Sequence, residues 1–316
     1  KRSAMASVRL PIAFRFLFFF CVFTGVVRSL PSSDNMTRVA VVTGANKGVG
    51  FHIAKHLASS GDFSDVILGC RDEQRGESAA KEIIAIIASP SSSASKPPPC
   101  TVSYQQLAIG DKSSHESFRK EIEHKFGKVD VLVNNAAMAF KNADPTPFKE
   151  QCKPTIDINF RGTADFTEEL LPLIRKGHDA RIVNVASMSG RISQLRSQEL
   201  QNKFTSSALK KEEVRALVDK FESDVLNDRN ISEGWGNSNY GFSKLALIAM
   251  TKVWAREEAK NGISVNCCCP GYCNTDMTSN RGPRDPSEGA LNAVIPATME
   301  NPPSGEYFSD FKVSTW

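Results

Sequence analysis

The chain has 316 residues, of which 41% are hydrophobic, and a formal net charge of +4. Five basic residues and one acidic residue lie within residues 1–35, so the rest of the chain carries 34 of each sign. A neutral body argues against a nucleic-acid partner, which would select a basic face. The length is sufficient for one large hydrophobic core or two modest ones.

The N-terminal 35 residues form a distinct segment. Basic residues precede an apolar run at 16–27, which ends at Arg28. Such a run is short for a membrane span and is typical of a signal-peptide hydrophobic region, but no A-x-A cleavage site follows it. Two interpretations stay open: residues 1–35 are a targeting segment, or Met36 is the true start and they are translated leader. We expect a cytoplasmic protein, or one sent to the secretory pathway or an organelle if the run is a real signal, with no stable membrane span in the body.

The eight cysteines do not have the spacing of a metal site. No CxxC pair meets a second one, so we predict no bound metal. Three cysteines are consecutive, Cys267 to Cys269, and such a run is a poor disulfide framework. The simpler interpretation is a set of free thiols in a reducing compartment.

Short apolar runs alternate with helical patterns from Arg38 onwards. Strands are predicted at 38–43, 65–70, 101–107, 129–135, 181–187 and 263–269. Strands that are apolar along their whole length are covered on both faces. The pattern therefore predicts an α/β fold with a Rossmann-like, doubly wound parallel sheet and helices on both faces. A Pro/Ser-rich stretch at 89–99 is predicted to be a surface loop.

More than 50 residues between Ser187 and Tyr240 interrupt the alternation. They include two segments with helical spacing, "SQELQNKF" and "KKEEVRALVDKFESDVL". We predict a helical insertion at about 190–236 inside one domain that spans residues 36–316, and not a second domain.

A glycine-rich turn, "TGANKGVG" at 43–50, directly follows the first strand and precedes a helix. Glycines at such positions let the backbone approach a pyrophosphate, and the helix N-terminus supplies N–H groups. The strand–turn–helix context favours nucleotide binding over a tight turn without a ligand. The residues predicted to contact the cofactor here are Gly44, Asn46, Lys47, Gly48, Val49 and Gly50.

Two cations indicate which nicotinamide cofactor is bound. An NAD site usually has an acid at the end of the second strand, but this chain has Cys70 and then Arg71. Arg71 suits a 2′-phosphate, and Lys47 in the glycine turn adds a second cation. We therefore predict NADPH/NADP+, the alternative being two ordinary surface cations. Farther along, Asn134 and Asn135 end the fourth strand, where ligands of open α/β sheets bind; capping a turn is their other possible role.

Seven motifs occur in order along the body: "TGANKGVG", "CRDEQRG", "VNNAA", "NFRGT", "IVNVAS", "EGWGNSNYGFSK" and "CCPGYCNTDM". With these motifs, residues 38–316 resemble the short-chain dehydrogenase/reductase family, and within it the monomeric NADPH-dependent carbonyl reductases. The insertion before Tyr240 is typical of that subgroup, and the resemblance implies a monomer because the inserted helices would cover the surface through which many members dimerise.

The resemblance implies a catalytic tetrad of Asn159, Ser187, Tyr240 and Lys244, with Ser189 as a nearby competitor for Ser187. It also implies that Asn159 holds a water that connects Lys244 to solvent, and that Lys244 reaches the nicotinamide ribose. Further cofactor contacts implied by the motifs are Asn134, Ala136, Tyr240, Lys244, Pro270, Gly271 and Thr275. The carbonyl reductases of the family also have a reactive cysteine just before the Pro-Gly pair, which corresponds to Cys269, with inert burial as the alternative.

The spacing of Tyr240 and Lys244 supports a proton-transfer role independently. One helical turn separates them, so they lie on the same helix face. A tyrosine with a pKa near 10 donates its proton reluctantly, and a nearby positive charge stabilises the phenolate and lowers that pKa. Tyr240 would then serve as the acid for carbonyl reduction, while Ser187 hydrogen-bonds the carbonyl oxygen.

Substrate contacts are predicted for Ser187, Tyr240, Met138, Trp235, Tyr272 and Cys269, with Phe140 and Met277 nearby. An aromatic and sulfur-rich lining suits bulky apolar carbonyls, although ordinary packing explains many such residues. Two positions depart from the family pattern: Ala108 replaces an aspartate near the adenine, with Asp111 three residues later, and Ala137 replaces a glycine.

Three functions are consistent with the sequence. The first is NADPH-dependent reduction of a small-molecule ketone, aldehyde or quinone, with Tyr240 as proton donor. The second is an NADP-dependent alcohol, steroid or prostaglandin dehydrogenase of the same fold. The third is an NADP-binding sensor without catalysis, against which the presence of all four tetrad residues argues. A serine hydrolase is excluded because "ASMSG" lacks the first glycine of a nucleophile elbow.

Overall fold

The structure is a computed structural model that describes residues 37–89, 100–141 and 143–316. The predictions made for residues 1–35, and for the Pro/Ser-rich stretch at 90–99, lie outside the described residues. The described part forms one unit, Thr37–Trp316.

A mixed sheet forms the centre of this unit. Within the described residues it has eight strands in the order β3-β2-β1-β4-β5-β6-β7-β8. All neighbouring pairs are parallel except β7 and β8, which are antiparallel. The strands are β1 (Val39–Thr43), β2 (Asp65–Cys70), β3 (Thr101–Gln106), β4 (Val131–Asn134), β5 (Arg181–Val185), β6 (Ser264–Cys268), β7 (Tyr307–Ser309) and β8 (Lys312–Ser314).

Helices cover both faces of the sheet. Alternate residues of β1 point to opposite sides: Val39 and Val41 join one hydrophobic cluster, and Ala40 and Val42 join the other. Burial on both faces explains why this strand is apolar throughout. The helices are α1 (Gly48–Ser59), α2 (Glu73–Ala88), α3 (Lys112–Phe126), α4 (Phe148–Ile156), α5 (Thr163–Ile174), α6 (Gln198–Thr205), α7 (Lys211–Leu226), α8 (Asn239–Glu258) and α9 (Pro286–Thr298).

Local capping sets the limits of several helices. The Asp72 side chain accepts a hydrogen bond from the Arg75 amide at the start of α2, and Asp111 accepts one from the Ser113 amide at the start of α3. Each satisfies an amide that has no partner within the helix. Helix α3 ends at Gly127, whose φ of 70° is the left-handed conformation that glycine adopts without strain. Asp111 is thus a helix cap in this structure.

The helical insertion predicted before Tyr240 is present as α6 and α7. Phe204 of α6 and Phe221 of α7 pack around Trp235 and reach Phe242 of α8. The rings of Phe221 and Phe242 are stacked, with centroids 3.7 Å apart. These aromatic contacts join the insertion to α8 in one hydrophobic core, so the protein is a single α/β domain.

The predicted fold class is confirmed. The six predicted strands are present, and the order of β1 to β6 is that of a doubly wound Rossmann-like sheet. No segment was predicted for five of these elements: α4, α5, α9 and the short strands β7 and β8. Among the described residues, no helix combines the length and the apolarity that crossing a bilayer requires.

Candidate active site

The predicted functional residues lie where the parallel strands end at their carboxyl side. The chain order of the strands reverses between β1 and β4, which are neighbours in the sheet. Open α/β sheets bind ligands in the crevice at such a switch point. The glycine turn follows β1, Asn135 and Ala136 follow β4, and Ser187 follows β5.

Close backbone contacts make the glycines of the turn necessary. A Cβ at Gly44 would lie 2.9 Å from the Ala136 Cα, and Gly44 has a φ of 64°. A Cβ at Gly50 would lie 2.3 Å from the Asn135 Nδ2 and 2.5 Å from the Gly44 carbonyl oxygen. The turn can pack this closely against the segment after β4 only because Gly44 and Gly50 have no side chain. Helix α1 begins within the turn, at Gly48. Such a turn fits a dinucleotide pyrophosphate.

The two asparagines after β4 have different surroundings. The Asn135 amide donates to the Thr43 Oγ1, and the Asn135 Nδ2 donates to the carbonyl oxygens of Thr43 (2.9 Å) and Gly44 (3.2 Å). The Asn134 Nδ2 instead donates to Thr167 and Asn184 inside the protein, and Asn134 is buried. The prediction of a cofactor contact by the Asn134 side chain is corrected: Asn134 links β4 to its neighbours, and Asn135 supports the glycine turn. Ala136, packed on Gly44, remains beside the turn.

Two exposed cations lie near the predicted ribose region. Lys47 precedes α1, and its Nζ lies 2.7 Å from the Asp276 carboxylate. Arg71 follows β2 and is exposed, with no ion pair among the residues that the structure describes. The guanidinium is thus available to a phosphate, whereas Lys47 must share its charge with Asp276.

The loop after β6 meets the glycine turn from the other side. The Thr275 Cγ2 lies 3.4 Å from the position that a Cβ at Gly48 would occupy. Gly271 has a φ of 84°, and a Cβ there would collide with the Arg284 side chain. The carbonyl oxygen of Pro270 accepts a hydrogen bond from Arg284. The loop from Pro270 to Thr275 therefore forms a wall of the same crevice.

Asn159 lies in a π-helical stretch, Asp157–Gly162, between α4 and α5. Its Oδ1 accepts from the Met138 amide at 2.8 Å, and its Nδ2 donates to the Met138 carbonyl oxygen at 2.9 Å. The same Nδ2 lies 3.1 Å from the Ser243 Oγ on α8. Asn159 thus ties the loop after β4 to the helix that bears Tyr240 and Lys244. Single-turn π-helical insertions are frequent at functional sites.

Ser187, Tyr240 and Lys244 come together beside this link. Helix α8 begins after Ser238, whose Oγ accepts from the Gly241 amide, and this cap places Tyr240 in the first turn. The Ser187 side chain is close enough to the Tyr240 hydroxyl to lower the pKa of that phenol. The Lys244 Nζ donates to the Val185 carbonyl oxygen at 2.8 Å and lies 5.7 Å from the centroid of the Tyr240 ring. Ser189 is exposed and its amide donates to the Ser187 Oγ, so Ser187 is the serine that faces Tyr240.

The ionisation of this pair differs from the prediction. Burial raises the pKa of Tyr240 to about 12, although the nearby Ser187 hydroxyl opposes the rise. Burial lowers the pKa of Lys244 to about 8. Lys244 therefore loses its charge before Tyr240 ionises, and the predicted lowering of the tyrosine pKa does not arise from these protein groups. The phenol is held in its protonated form, which is the form that donates a proton.

Cys269 is buried between the loop that follows β5 and the loop that follows β6. Its Sγ accepts from the amides of Met188 at 3.2 Å and Gly271 at 3.3 Å, and the side chain is 2% exposed. The sulfur therefore joins the loop after β5 to the loop after β6. The predicted contact of Cys269 with a substrate is corrected, because the side chain is buried. Burial raises the pKa of the neighbouring Cys267 thiol to about 12. The seven cysteines of the described residues are all free thiols.

The segment after Ser187 contacts both α8 and Trp316, the last residue of the sequence. A Cβ at Gly190 would lie 2.8 Å from the backbone of Lys244, so this segment packs directly on α8. The Trp316 Nε1 donates to the Gly190 carbonyl oxygen at 2.7 Å. The short helix Met188–Gly190 is thus held between α8 and Trp316.

The predicted substrate residues have different positions. Met138 and Phe140 are half-buried in the segment that Asn159 holds, and Tyr272 and Met277 are exposed on the loop after β6. Trp235 is 1% exposed and its Nε1 donates to the buried Asp224, so the prediction that it lines the cleft is corrected. Met188, which directly follows Ser187 and is 59% exposed, was not among the predicted substrate residues.

The family model described as "short chain dehydrogenase" matches residues 38–198 and 231–286. The chain therefore belongs to the short-chain dehydrogenase family, and the predicted resemblance is confirmed. The unmatched residues between these two ranges contain nearly all of α6 and the whole of α7. The insertion is thus an addition to the common fold of the family.

Named relatives are similar over nearly the whole chain. "Carbonyl reductase [NADPH] 1" of Bos taurus is 40% identical over 296 residues, covering 90% of this chain and 100% of the relative. The Homo sapiens protein of the same name is 39% identical, covering 88% and 98%. Among solved structures, salutaridine reductase from Papaver somniferum has a TM-score of 0.75 at 29% identity, covering 86% of this chain and 99% of its own. Menthone neomenthol reductase from Mentha piperita has a TM-score of 0.71 at 29% identity, covering 86% and 98%.

Proposed function

We propose that the protein is an NADPH-dependent carbonyl reductase that converts ketones, aldehydes or quinones to alcohols. The observation that carries this proposal is the placement of Ser187 and Tyr240 beside Lys244, at the edge of the sheet where the glycine turn lies. A hydroxyl pair at this position can bind a carbonyl oxygen and deliver a proton to it. The relatives named as NADPH carbonyl reductases support the same reaction.

The residues of the crevice are suited to NADPH. Gly44, Gly48 and Gly50 would admit the pyrophosphate to the backbone, and Arg71 would pair with the 2′-phosphate. Thr275 and the Pro270–Gly271 segment would border the nicotinamide, which supplies the hydride when the cofactor is bound. Lys244 would reach the nicotinamide ribose, and Asn159 would hold a water near it.

Tyr240 is the proton donor of this reaction. Its raised pKa keeps the phenol protonated at neutral pH, and the carbonyl oxygen becomes strongly basic as it gains charge from the hydride. Ser187 would donate a hydrogen bond to the same oxygen. Below a pH of about 8, Lys244 carries a positive charge beside the site of proton transfer.

The substrate class follows from the exposed side chains around the crevice. Met188, Tyr272 and Met277 are large, apolar or aromatic, and between 41% and 59% exposed. Side chains of this kind suit bulky apolar carbonyls. Met138 and Phe140 would contribute from the opposite side, and Cys269 would act through the backbones that its sulfur fixes.

The proposal extends to domain organisation, assembly and location. Residues 36–316 would form one NADP-binding reductase domain, preceded by a targeting or leader segment. The inserted helices α6 and α7 cover part of α8, which supports a monomer. The body would be cytoplasmic unless the N-terminal segment acts as a signal. Sedimentation equilibrium tests assembly, since a mass near twice the 34.6 kDa of the chain would contradict the monomer.

The test of the reaction is NADPH oxidation with menadione as substrate. Tyr240→Phe removes the hydroxyl and keeps the ring, so kcat is expected to fall by about 10²- to 10⁴-fold. NADPH binding, followed by cofactor fluorescence, is expected to persist. Tyr104→Phe is the matched control, because the Tyr104 hydroxyl has no hydrogen-bond partner in the described structure. Unchanged turnover in Tyr240→Phe would refute the assigned proton donor.

A further inference from the structure

A second cavity lies away from the crevice, where the insertion meets the common fold. It has a volume of about 490 Å³, within the range of small-molecule sites. The residues that line it come from three places: the link between α6 and α7, the second half of α8, and the loop before β7. The family model leaves residues between 198 and 231 unmatched, so one wall of this cavity is specific to the insertion.

Two cations one helical turn apart line this cavity. The Lys252 Nζ donates to the Gly305 carbonyl oxygen at 3.1 Å and lies 5.9 Å from the Trp316 ring. The Arg256 guanidinium donates to the carbonyl oxygens of Leu209 and Lys252. Within the described residues neither cation has a carboxylate partner within 4.0 Å, although most lysines and arginines near the surface of this protein are paired. An ammonium has three donors and a guanidinium five, so both groups keep donors for a ligand.

The other lining groups show what kind of ligand would fit. Thr205, Ser206, Ser207 and Ser304 provide hydroxyl groups at the rim. Phe204, Leu209, Ala249 and Ala255 are buried and provide an apolar floor. Cations and hydroxyls recognise an oxyanion, and the apolar floor recognises a hydrocarbon body.

We propose that this cavity, which we call the insertion cavity, binds a small amphipathic organic anion. The carboxylate or phosphate of the ligand pairs with Lys252 and Arg256, and its apolar chain lies on Phe204 and Leu209. This binding is separate from the carbonyl-reduction site, which lies at the other end of α8, where Tyr240 and Lys244 are in the first two turns.

Calorimetric titration of the whole protein with octanoate, octyl phosphate and octanol tests the proposal. Saturating NADPH is present throughout, so that binding at the cofactor crevice does not contribute. Both anions are expected to bind, and octanol is expected to bind at least about tenfold more weakly because it lacks the charged group. Inorganic phosphate alone is expected to bind more weakly than octyl phosphate. Equal affinity for octanol and octanoate would exclude recognition of the anion, and absence of anion binding would overturn the site.

Variants locate the binding. Lys252→Gln and Arg256→Gln, each alone and together, are expected to weaken octanoate binding, by about tenfold or more in the double variant. Lys252→Arg keeps the charge and is expected to retain binding. Lys120→Gln, which removes an exposed charge from α3, is the matched control and is expected to bind as the unaltered protein does. Unchanged octanoate affinity in both single variants would place the anion elsewhere, for example in the substrate crevice, and overturn the proposal.

Discussion

The glycine turn and the catalytic cluster lie at the same sheet edge but are built differently. The turn consists of eight consecutive residues, 43–50, and its shape depends on side chains that are absent: a Cβ at Gly44 or Gly50 would collide with the segment after β4. The cluster consists of side chains from three separate elements: Asn159 of the π-helical stretch, Ser187 after β5, and Tyr240 with Lys244 of α8. A turn of the first kind can be read from the sequence, while a cluster of the second kind exists only after the chain has folded.

Gly50→Ala is expected to have the largest effect on the turn. The new methyl would lie 2.5 Å from the Gly44 carbonyl oxygen, which is backbone and cannot rotate away. We expect NADPH binding to be lost and the free energy of unfolding to fall by about 1–3 kcal/mol. Fluorescence titration and urea denaturation measure the two effects. Gly127→Ala is the control, since it has a positive φ but nothing within 4 Å, and it should lose stability without losing NADPH binding. Normal NADPH affinity in Gly50→Ala would contradict the close approach of cofactor and backbone.

Arg71→Ala tests the contribution of one side chain to the predicted cofactor site, which is otherwise formed mainly by the backbone of the glycine turn. Loss of a charge-assisted hydrogen bond is expected to weaken NADPH binding about tenfold or more and to leave NADH binding unchanged. Lys47→Ala should have a smaller effect, since Lys47 is already paired with Asp276. Arg75→Ala, which removes an exposed arginine of α2, is the control. An equal loss for NADPH and NADH would refute the role of Arg71 at the 2′-phosphate.

Lys244→Met tests the buried charge of the catalytic cluster. The pKa of Lys244 is lowered to about 8 in the folded protein, from an ordinary value of 10.5. Between these values the unfolded chain binds more protons, so this group makes the free energy of unfolding rise with pH. Below pH 8 both states are protonated, and the cost of the buried charge is present in full.

Between pH 8 and 9 the free energy of unfolding should therefore increase more steeply with pH in the unaltered protein than in Lys244→Met. We expect a slope difference on the order of 1 kcal/mol per pH unit, measured by urea denaturation at several pH values. The range stops at pH 9 because the buried thiols, such as Cys267 with its pKa raised to about 12, lower stability above their ordinary value of 9. Lys120→Met should follow the unaltered protein, and parallel curves for Lys244→Met would show that the lysine titrates normally.

Trp235→Phe should have the smallest effect on activity. It removes the indole donor to Asp224 (2.8 Å), which keeps its contacts with Lys220 and Arg229. We expect a loss of about 1–3 kcal/mol in the free energy of unfolding and an unchanged KM for carbonyl substrates. Trp254→Phe is a matched control, because the Trp254 indole N–H has no partner in the described residues and only packing is lost. A changed KM together with an unchanged free energy of unfolding would contradict this prediction and indicate that Trp235 contacts the substrate.

The parts of the molecule that were predictable from sequence share a local signal. Most of the six predicted strands are short apolar runs, such as β1. The residues that delimit α2 and α3, Asp72, Asp111 and Gly127, directly precede or follow those helices in sequence. β7 and β8 have only three residues each, which is too short for a hydrophobic pattern to indicate a strand.

The errors concern residues whose role depends on a distant partner. Asn134 and Asn135 are identical and adjacent, and only the positions of Thr43 and Thr167 decide which one supports the turn. Trp235 is a large aromatic residue of the type that often lines ligand sites, but Asp224 and the rings of α6 and α7 enclose it. The pKa values of Tyr240 and Lys244 depend on burial, which the spacing of the two residues does not report.

The hydrogen bond from Trp316 to Gly190 has a consequence for the order of folding. The two residues are 126 positions apart, and Gly190 lies between this tryptophan and the backbone of Lys244. Contacts of such long sequence separation carry a large loop-closure cost and form late. The contacts between the glycine turn and Asn135 span 91 and 92 positions, fewer than the contact of Trp316, so the Ser187 segment is expected to become ordered after the turn. Catalytic competence should lag behind recovery of secondary structure during refolding, with cofactor binding regained before turnover.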